Sequence, residues 1–297
     1  MSKEKEIIFG KFSGVRALRE IGMLGYEWFA RYALLYDARL RAKMGFPFRL
    51  NMRRIEIETT TSCNLKCFNC DRSCRQAPSS ERMSLRQIKK FVDESISLKK
   101  KWAVISILGG EPTLHPEIVE ICNQLLQYKE YCFSTRIIIV TNGYGHRVNN
   151  ILKTLPSEIK IANTAKQTPS QDFTTYNVAP IDMDYPDASR IDFKSGCGIL
   201  SNCGLGLTRY GFYACGAGAS ADRVFGWDLG IKSLTEVTRE KLLGQLDALC
   251  SHCGRFKDMS RYKSLYASTT TNQEMMSGVW KAAYEAYSKK PPDLSLY

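Results

Sequence analysis

The chain has 297 residues and a formal net charge of +12, with 44% hydrophobic and 24% charged residues. That length suffices for one large domain or a barrel with a small appendage, and the composition implies a packed core rather than a disordered chain. No apolar run approaches the roughly 20 residues of a membrane span, and the charged N-terminus lacks a signal-peptide pattern, so the expected compartment is the cytoplasm.

Residues 1–54 hold twelve Lys or Arg against five Asp or Glu. Over residues 15–40, Leu18, Ile21, Trp28, Phe29, Tyr32, Leu35 and Tyr36 fall on one helical face and Arg16, Arg19, Glu20, Glu27 and Arg31 on the other. The expectation is a basic helical extension over residues 1–53 that packs over the end of the main domain. Its charge also suits a peripheral contact with an anionic membrane or an acidic partner.

Strand and helix patterns then alternate. Residues 54–60 read as a strand leading into a cysteine loop, and Ser84 caps a helical run to about residue 100 with Leu85, Ile88, Phe91 and Ile96 at helical spacing. Residues 103–108 form a buried strand ending in Gly109-Gly110-Glu111-Pro112, followed by a helix over about 116–129. Residues 136–140 are a third strand closed by Thr141-Asn142-Gly143, and a short helix and a strand over 158–162 complete four β–α repeats. Such repeats imply a parallel sheet covered by helices, with active-site residues just beyond the strand ends. After about residue 165 the rhythm breaks into a polar, proline-containing stretch in which one or two further short strands are expected, and residues 196–255 are rich in glycine and cysteine. The tail from about residue 260 contains a helical pattern over 274–287.

Eleven cysteines without an export signal read as metal chemistry rather than a disulfide framework. Cys122 and Cys132 stand apart and are expected to be buried thiols. Cys63, Cys67 and Cys70 are spaced C-x3-C-x2-C. Three thiolates on one loop can hold three irons of a cubane and leave the fourth without a protein ligand, open to a substrate or cofactor. A structural zinc site is the alternative, and Cys74 could serve as a fourth ligand or as a thiol beside the cluster.

This loop, placed after the first strand, resembles the radical S-adenosylmethionine superfamily, and the resemblance spans about residues 54–165. It implies a partial (β/α) TIM-like barrel over residues 54–195. It also implies a [4Fe–4S] cluster on Cys63, Cys67 and Cys70 whose open iron binds S-adenosylmethionine, reductive cleavage to a 5′-deoxyadenosyl radical, and removal of a substrate hydrogen. A flavodoxin- or ferredoxin-like electron donor is implied as partner. Gly109 and Gly110 resemble the family's glycine-rich motif, which lets the backbone approach the methionine end. Glu111 or a carbonyl would accept from the amino group, and Asn142, Asn163 and Thr164 are placed like further cofactor contacts. Asn69 departs from the family's aromatic residue before the third cysteine.

Cys197-x17-Cys215 followed by Cys250-x2-Cys253 resembles the twitch domain, a shortened SPASM extension, over residues 196–258, with residues 259–297 as a partly helical tail. The resemblance implies an auxiliary [4Fe–4S] cluster on Cys197, Cys215, Cys250 and Cys253, with Cys203 as alternate to Cys197. A zinc knuckle is the alternative. An auxiliary cluster suits a radical oxidoreductase that oxidises a small-molecule substrate. A peptide-modifying radical enzyme, a lipid-directed one, and a zinc or Fe–S nucleic-acid-binding protein are the other readings. No catalytic base is assigned; Asp182, Asp184, Asp187 and Arg190 read mainly as loop charges.

Overall fold

The structure is a computed structural model that describes residues 50–166, 176–182, 193–195, 197, 199–255 and 274–297. The amphipathic segment over 15–40 and Asp184, Asp187 and Arg190 lie outside the described residues. None of the described helices is long and apolar enough to cross a membrane.

Among the described residues, six strands form one sheet in the order β4-β3-β2-β1-β5-β6. β1 (Arg54–Thr60), β2 (Val104–Gly109), β3 (Arg136–Thr141) and β4 (Lys160–Asn163) run parallel in chain order, as expected of β–α repeats. β5 (Leu205–Thr208) joins the free edge of β1 in parallel, with Ile55 opposite Leu205. β6 (Gly211–Tyr213) returns antiparallel to β5, because a two-residue link cannot carry a parallel crossover. The sheet is therefore mixed rather than wholly parallel, and the cysteine-rich region continues it at the β1 edge.

α1 (Leu85–Ser97) starts at Ser84, where Ser84 and Gln87 close a capping box. Its inner face is Ile88, Phe91, Val92 and Ser95, whereas Ile96, expected on that face, is 37% exposed. Ser95 is tolerated inside because its Oγ accepts Trp102 Nε1 at 3.0 Å. α2 (Ile118–Tyr131) and the short α3 (His146–Leu152) cover the sheet, and Cys122 and Cys132 are buried as expected.

The C-terminal half contains α4 (Ile199–Asn202), α5 (Gly216–Phe225), α6 (Arg239–Ser251) and α7 (Gly278–Lys289). α5 is almost wholly buried, including Ser220, Asp222 and Arg223. A second apolar cluster joins it to α7 through Tyr176, Tyr213, Trp280, Tyr284 and Tyr287. Asp182 Oδ2 accepts Val279 N at 2.8 Å, so this carboxylate satisfies the start of α7.

Candidate metal centres

The cysteine loop leaves the C-terminal end of β1 and is docked against the tip of β2. Gly110 N donates to Thr60 O and Glu111 N to Ser62 O, both at 2.8 Å. A Cβ on Gly109 would strike Thr60 O, and one on Gly110 would strike Ser62 O, so the two backbones meet only because both residues are glycine. Cys67 is buried, and Cys63 and Cys70 are half-buried. Burial pushes the Cys63 thiol up to about 12 despite a hydrogen bond from Leu65 N, and the neighbouring Cys70 and Cys67 push it the same way. Thiolates crowded on one loop repel one another, and a bound cation is what holds such a set ionised. This donor set, on one loop beside an approachable backbone, fits an iron–sulfur cluster.

Glu111 is fully buried and ties the ends of β2 and β3 together. Its Oε1 accepts Thr113 N, Thr113 Oγ1 and Thr141 Oγ1 at 3.2, 2.7 and 2.9 Å, and its Oε2 accepts Asn142 N at 2.8 Å. Asn142 in turn reaches the cysteine loop, where its Nδ2 donates to Asn64 Oδ1 at 2.8 Å and lies 4.0 Å from Cys63 Sγ. Thr164 donates from N and Oγ1 to Thr141 O at 2.9 and 3.0 Å. Asn163, whose Oδ1 accepts Ala165 N at 2.7 Å, lies against Gly143. Gly109, Gly110, Glu111, Asn142, Asn163 and Thr164 thus gather at the ends of β2, β3 and β4.

Asn69 sits at φ 53°, a left-handed conformation that asparagine tolerates better than an aromatic residue. It is fully buried: its N donates to Glu274 Oε1 at 3.2 Å and its Oδ1 accepts Met275 N at 3.0 Å. Glu274 also accepts Gln76 Nε2 at 3.2 Å and Asn177 Nδ2 at 2.7 Å, fastening the cysteine loop to the C-terminal segment. Cys74 hydrogen-bonds Cys70, which draws Cys70 below the usual thiol range and pushes Cys74 above it.

The second cysteines are assembled from separate elements. Cys215 caps α5, its Sγ accepting Gly218 N at 3.3 Å, while Cys250 lies in the last turn of α6 and Cys253 just beyond it. Cys197, Cys215, Cys250 and Cys253 line one cleft with Leu249 and Arg255. Cys203 is not on its lining; burial raises its thiol to about 11, and the Glu56 carboxylate beside it adds to the rise. Burial likewise pushes Cys215 up to about 12, with Cys197 adding to it, and Cys253 is raised by burial and then by Cys197 and Cys215. Four cysteines around one cleft, three of them close enough to influence one another, fit a polynuclear cluster. Among the described residues, no three His, Cys, Asp or Glu side chains form a site for a single metal ion.

Between the two sets runs a chain of charges that the motif reading missed. Arg72 Nη2 donates to Glu56 Oε2 at 2.6 Å, and Arg72 Nε lies 3.9 Å from Asp71 Oδ1. Arg255 pairs with the same Asp71 carboxylate. Arg223, on α5, pairs with Glu58 of β1 and donates to Arg72 O. The available signal was adjacency: Asp71 and Arg72 follow Cys70, and Arg255 stands two residues after Cys253.

Residues 57–177 match the model of the Radical SAM superfamily. A probable GTP 3′,8-cyclase of Methanococcus maripaludis is 32% identical over 91 residues, which are 30% of this chain and 30% of that protein. An AdoMet-dependent heme synthase of Methanosarcina barkeri is 30% identical over 91 residues, 31% of this chain and 24% of that protein. The match therefore spans less than a third of either relative's length. Among solved structures, BtrN in complex with AdoMet and 2-DOIA aligns with 75% of this chain and 98% of its own, at 15% identity and a TM-score of 0.43. The match over residues 57–177 thus supports a Radical SAM superfamily domain, and the relatives named here are enzymes.

Proposed function

We propose that the chain is a radical S-adenosylmethionine oxidoreductase with two [4Fe–4S] centres. The first is held by Cys63, Cys67 and Cys70, and the auxiliary one by Cys197, Cys215, Cys250 and Cys253. The observation that carries this reading is the pairing of a three-cysteine loop, docked on a glycine tip, with a separate cleft lined by four cysteines. Gly109, Gly110, Glu111, Asn142, Asn163 and Thr164 surround S-adenosylmethionine in this reading. Glu111 acts mainly by holding the β2 and β3 tips, since it already accepts four protein hydrogen bonds.

When loaded, the first centre supplies the electron that cleaves S-adenosylmethionine to methionine and a 5′-deoxyadenosyl radical, which removes a substrate hydrogen. A cluster held by Cys197, Cys215, Cys250 and Cys253 would supply an electron acceptor, so that loss of a proton and a second electron from the substrate would complete a two-electron oxidation. The substrate is a small molecule or a peptide, and the electron donor is flavodoxin- or ferredoxin-like.

The test is an anaerobic assay of the reconstituted protein with reductant and S-adenosylmethionine. The expected result is 5′-deoxyadenosine formation, with deuterium transferred from the substrate. An intact cluster that forms no 5′-deoxyadenosine would overturn the reading.

A further inference from the structure

Among the described residues, two buried N–H groups without a hydrogen-bond partner lie beside the second cysteine set. Arg72 Nη1 is buried and makes no hydrogen bond. It lies against Gly216, next in the chain to Cys215, closely enough that a Cβ there would strike it. Arg255 Nε is likewise buried and unbonded, and Arg255 lines the cysteine cleft itself. A buried donor left unsatisfied costs about 1–3 kcal/mol, so two of them beside one cleft imply acceptors that arrive with a bound group.

The rest of each guanidinium is fixed. Arg72 is held by Glu56 and Asp71, and Arg255 by Asp71. Asp71 is itself held through its backbone, Ser220 Oγ donating to Asp71 O at 2.7 Å. Neither arginine can therefore turn freely to find another acceptor. Hydrogen bonds and net charge at the sulfurs set the reduction potential of an iron–sulfur cluster.

We infer that Arg72 and Arg255 are positioning residues of the auxiliary centre, aimed by the shared Asp71 so that Arg72 Nη1 and Arg255 Nε donate to its sulfurs and raise its reduction potential. The inference rests on the proposed cluster at Cys197, Cys215, Cys250 and Cys253. Because Asp71 and Arg72 directly follow Cys70, the segment that carries the first centre's third cysteine also tunes the second. A raised potential makes the auxiliary centre a better acceptor for the electron released by a substrate radical.

The test is a redox titration of the reconstituted full-length protein followed by electron paramagnetic resonance. The auxiliary centre is identified as the signal that S-adenosylmethionine does not shift. Arg72→Gln and Arg255→Gln should each lower its midpoint by about 60 mV or more, a tenfold change in a one-electron equilibrium. Arg72→Lys, which keeps the charge, should recover part of the shift. An unchanged midpoint with full iron content would overturn the inference while leaving the two-centre reading intact. If both glutamine variants fold, by circular dichroism, but fail to load the second centre, the residues are structural and the tuning role falls. Absence of an S-adenosylmethionine-insensitive signal from the unmodified protein would overturn the two-centre reading and the inference with it.

Discussion

The two cysteine sets are built in opposite ways. Cys63, Cys67 and Cys70 lie within eight residues on one loop, fixed by the end of β1 and the glycines of β2. Cys197, Cys215, Cys250 and Cys253 are drawn from a stretch of 57 residues and meet only when α5 and α6 pack onto the sheet. The first set is therefore a local device whose spacing carries its chemistry. The second is a product of the tertiary fold, and its integrity should follow the stability of the C-terminal half.

The largest effect expected from this contrast is in iron content. Replacing Cys63, Cys67 and Cys70 together by alanine should abolish 5′-deoxyadenosine formation and remove about four of about eight irons per chain. Cys215→Ala should instead spare the first centre and cleavage of S-adenosylmethionine. Iron and sulfide counting on anaerobically reconstituted protein checks both. Loss of all iron from either variant would contradict the independence of the two sets.

The next effect lies in the buried pair that pins α5 to β1. Arg223 and Glu58 are 2% and 4% exposed, so Arg223→Met strands a buried carboxylate at a cost of about 3–5 kcal/mol. Denaturant unfolding should show this loss, with the second centre emptying before the first. Glu58→Leu combined with Arg223→Met should recover most of the stability.

A smaller effect is expected at the first set. Gly110→Ala forces a Cβ onto Ser62 O and should cost about 1–3 kcal/mol, weakening S-adenosylmethionine binding more than iron binding. Thermal melts together with equilibrium binding separate the two.

The smallest concerns a thiol outside both sets. Burial raises Cys122 from 9.0 to about 12. A raised thiol contributes its stability fully below the unfolded value and loses it as pH climbs from about 9 towards 12. The native protein should therefore leave Cys122 unalkylated by iodoacetamide at pH 8, and mass spectrometry of digests reads this directly.

The same contrast explains what could be read from the residues alone. The cysteine spacing, the Ser84 cap and the strand-end motifs are local, and all lie where their patterns place them. The burial of Ile96 failed because the inner face of α1 follows Val92 and Ser95, and Ser95 is admitted by a hydrogen bond from Trp102, beyond the helix end. α5 escaped notice because Gly216 and Gly218 are poor helix formers; its helix rests on a cysteine cap and on burial. The pairing of β5 with β1 joins residues about 150 positions apart, which no local pattern encodes. Arg72 and Arg255 belong to no motif, and only packing sets them beside Asp71. Spacing leaves Cys197 and Cys203 both open as ligands, whereas the cleft lining includes Cys197 and Cys203 lies beside Glu56.

The central claim, two centres of different construction and different openness, is tested most directly by electron paramagnetic resonance of the reduced protein with and without S-adenosylmethionine. The account predicts two cluster signals. One shifts when S-adenosylmethionine is added and disappears when Cys63, Cys67 and Cys70 are replaced; the other does neither and disappears with Cys215→Ala. A single signal, or two that both ignore S-adenosylmethionine, would contradict it.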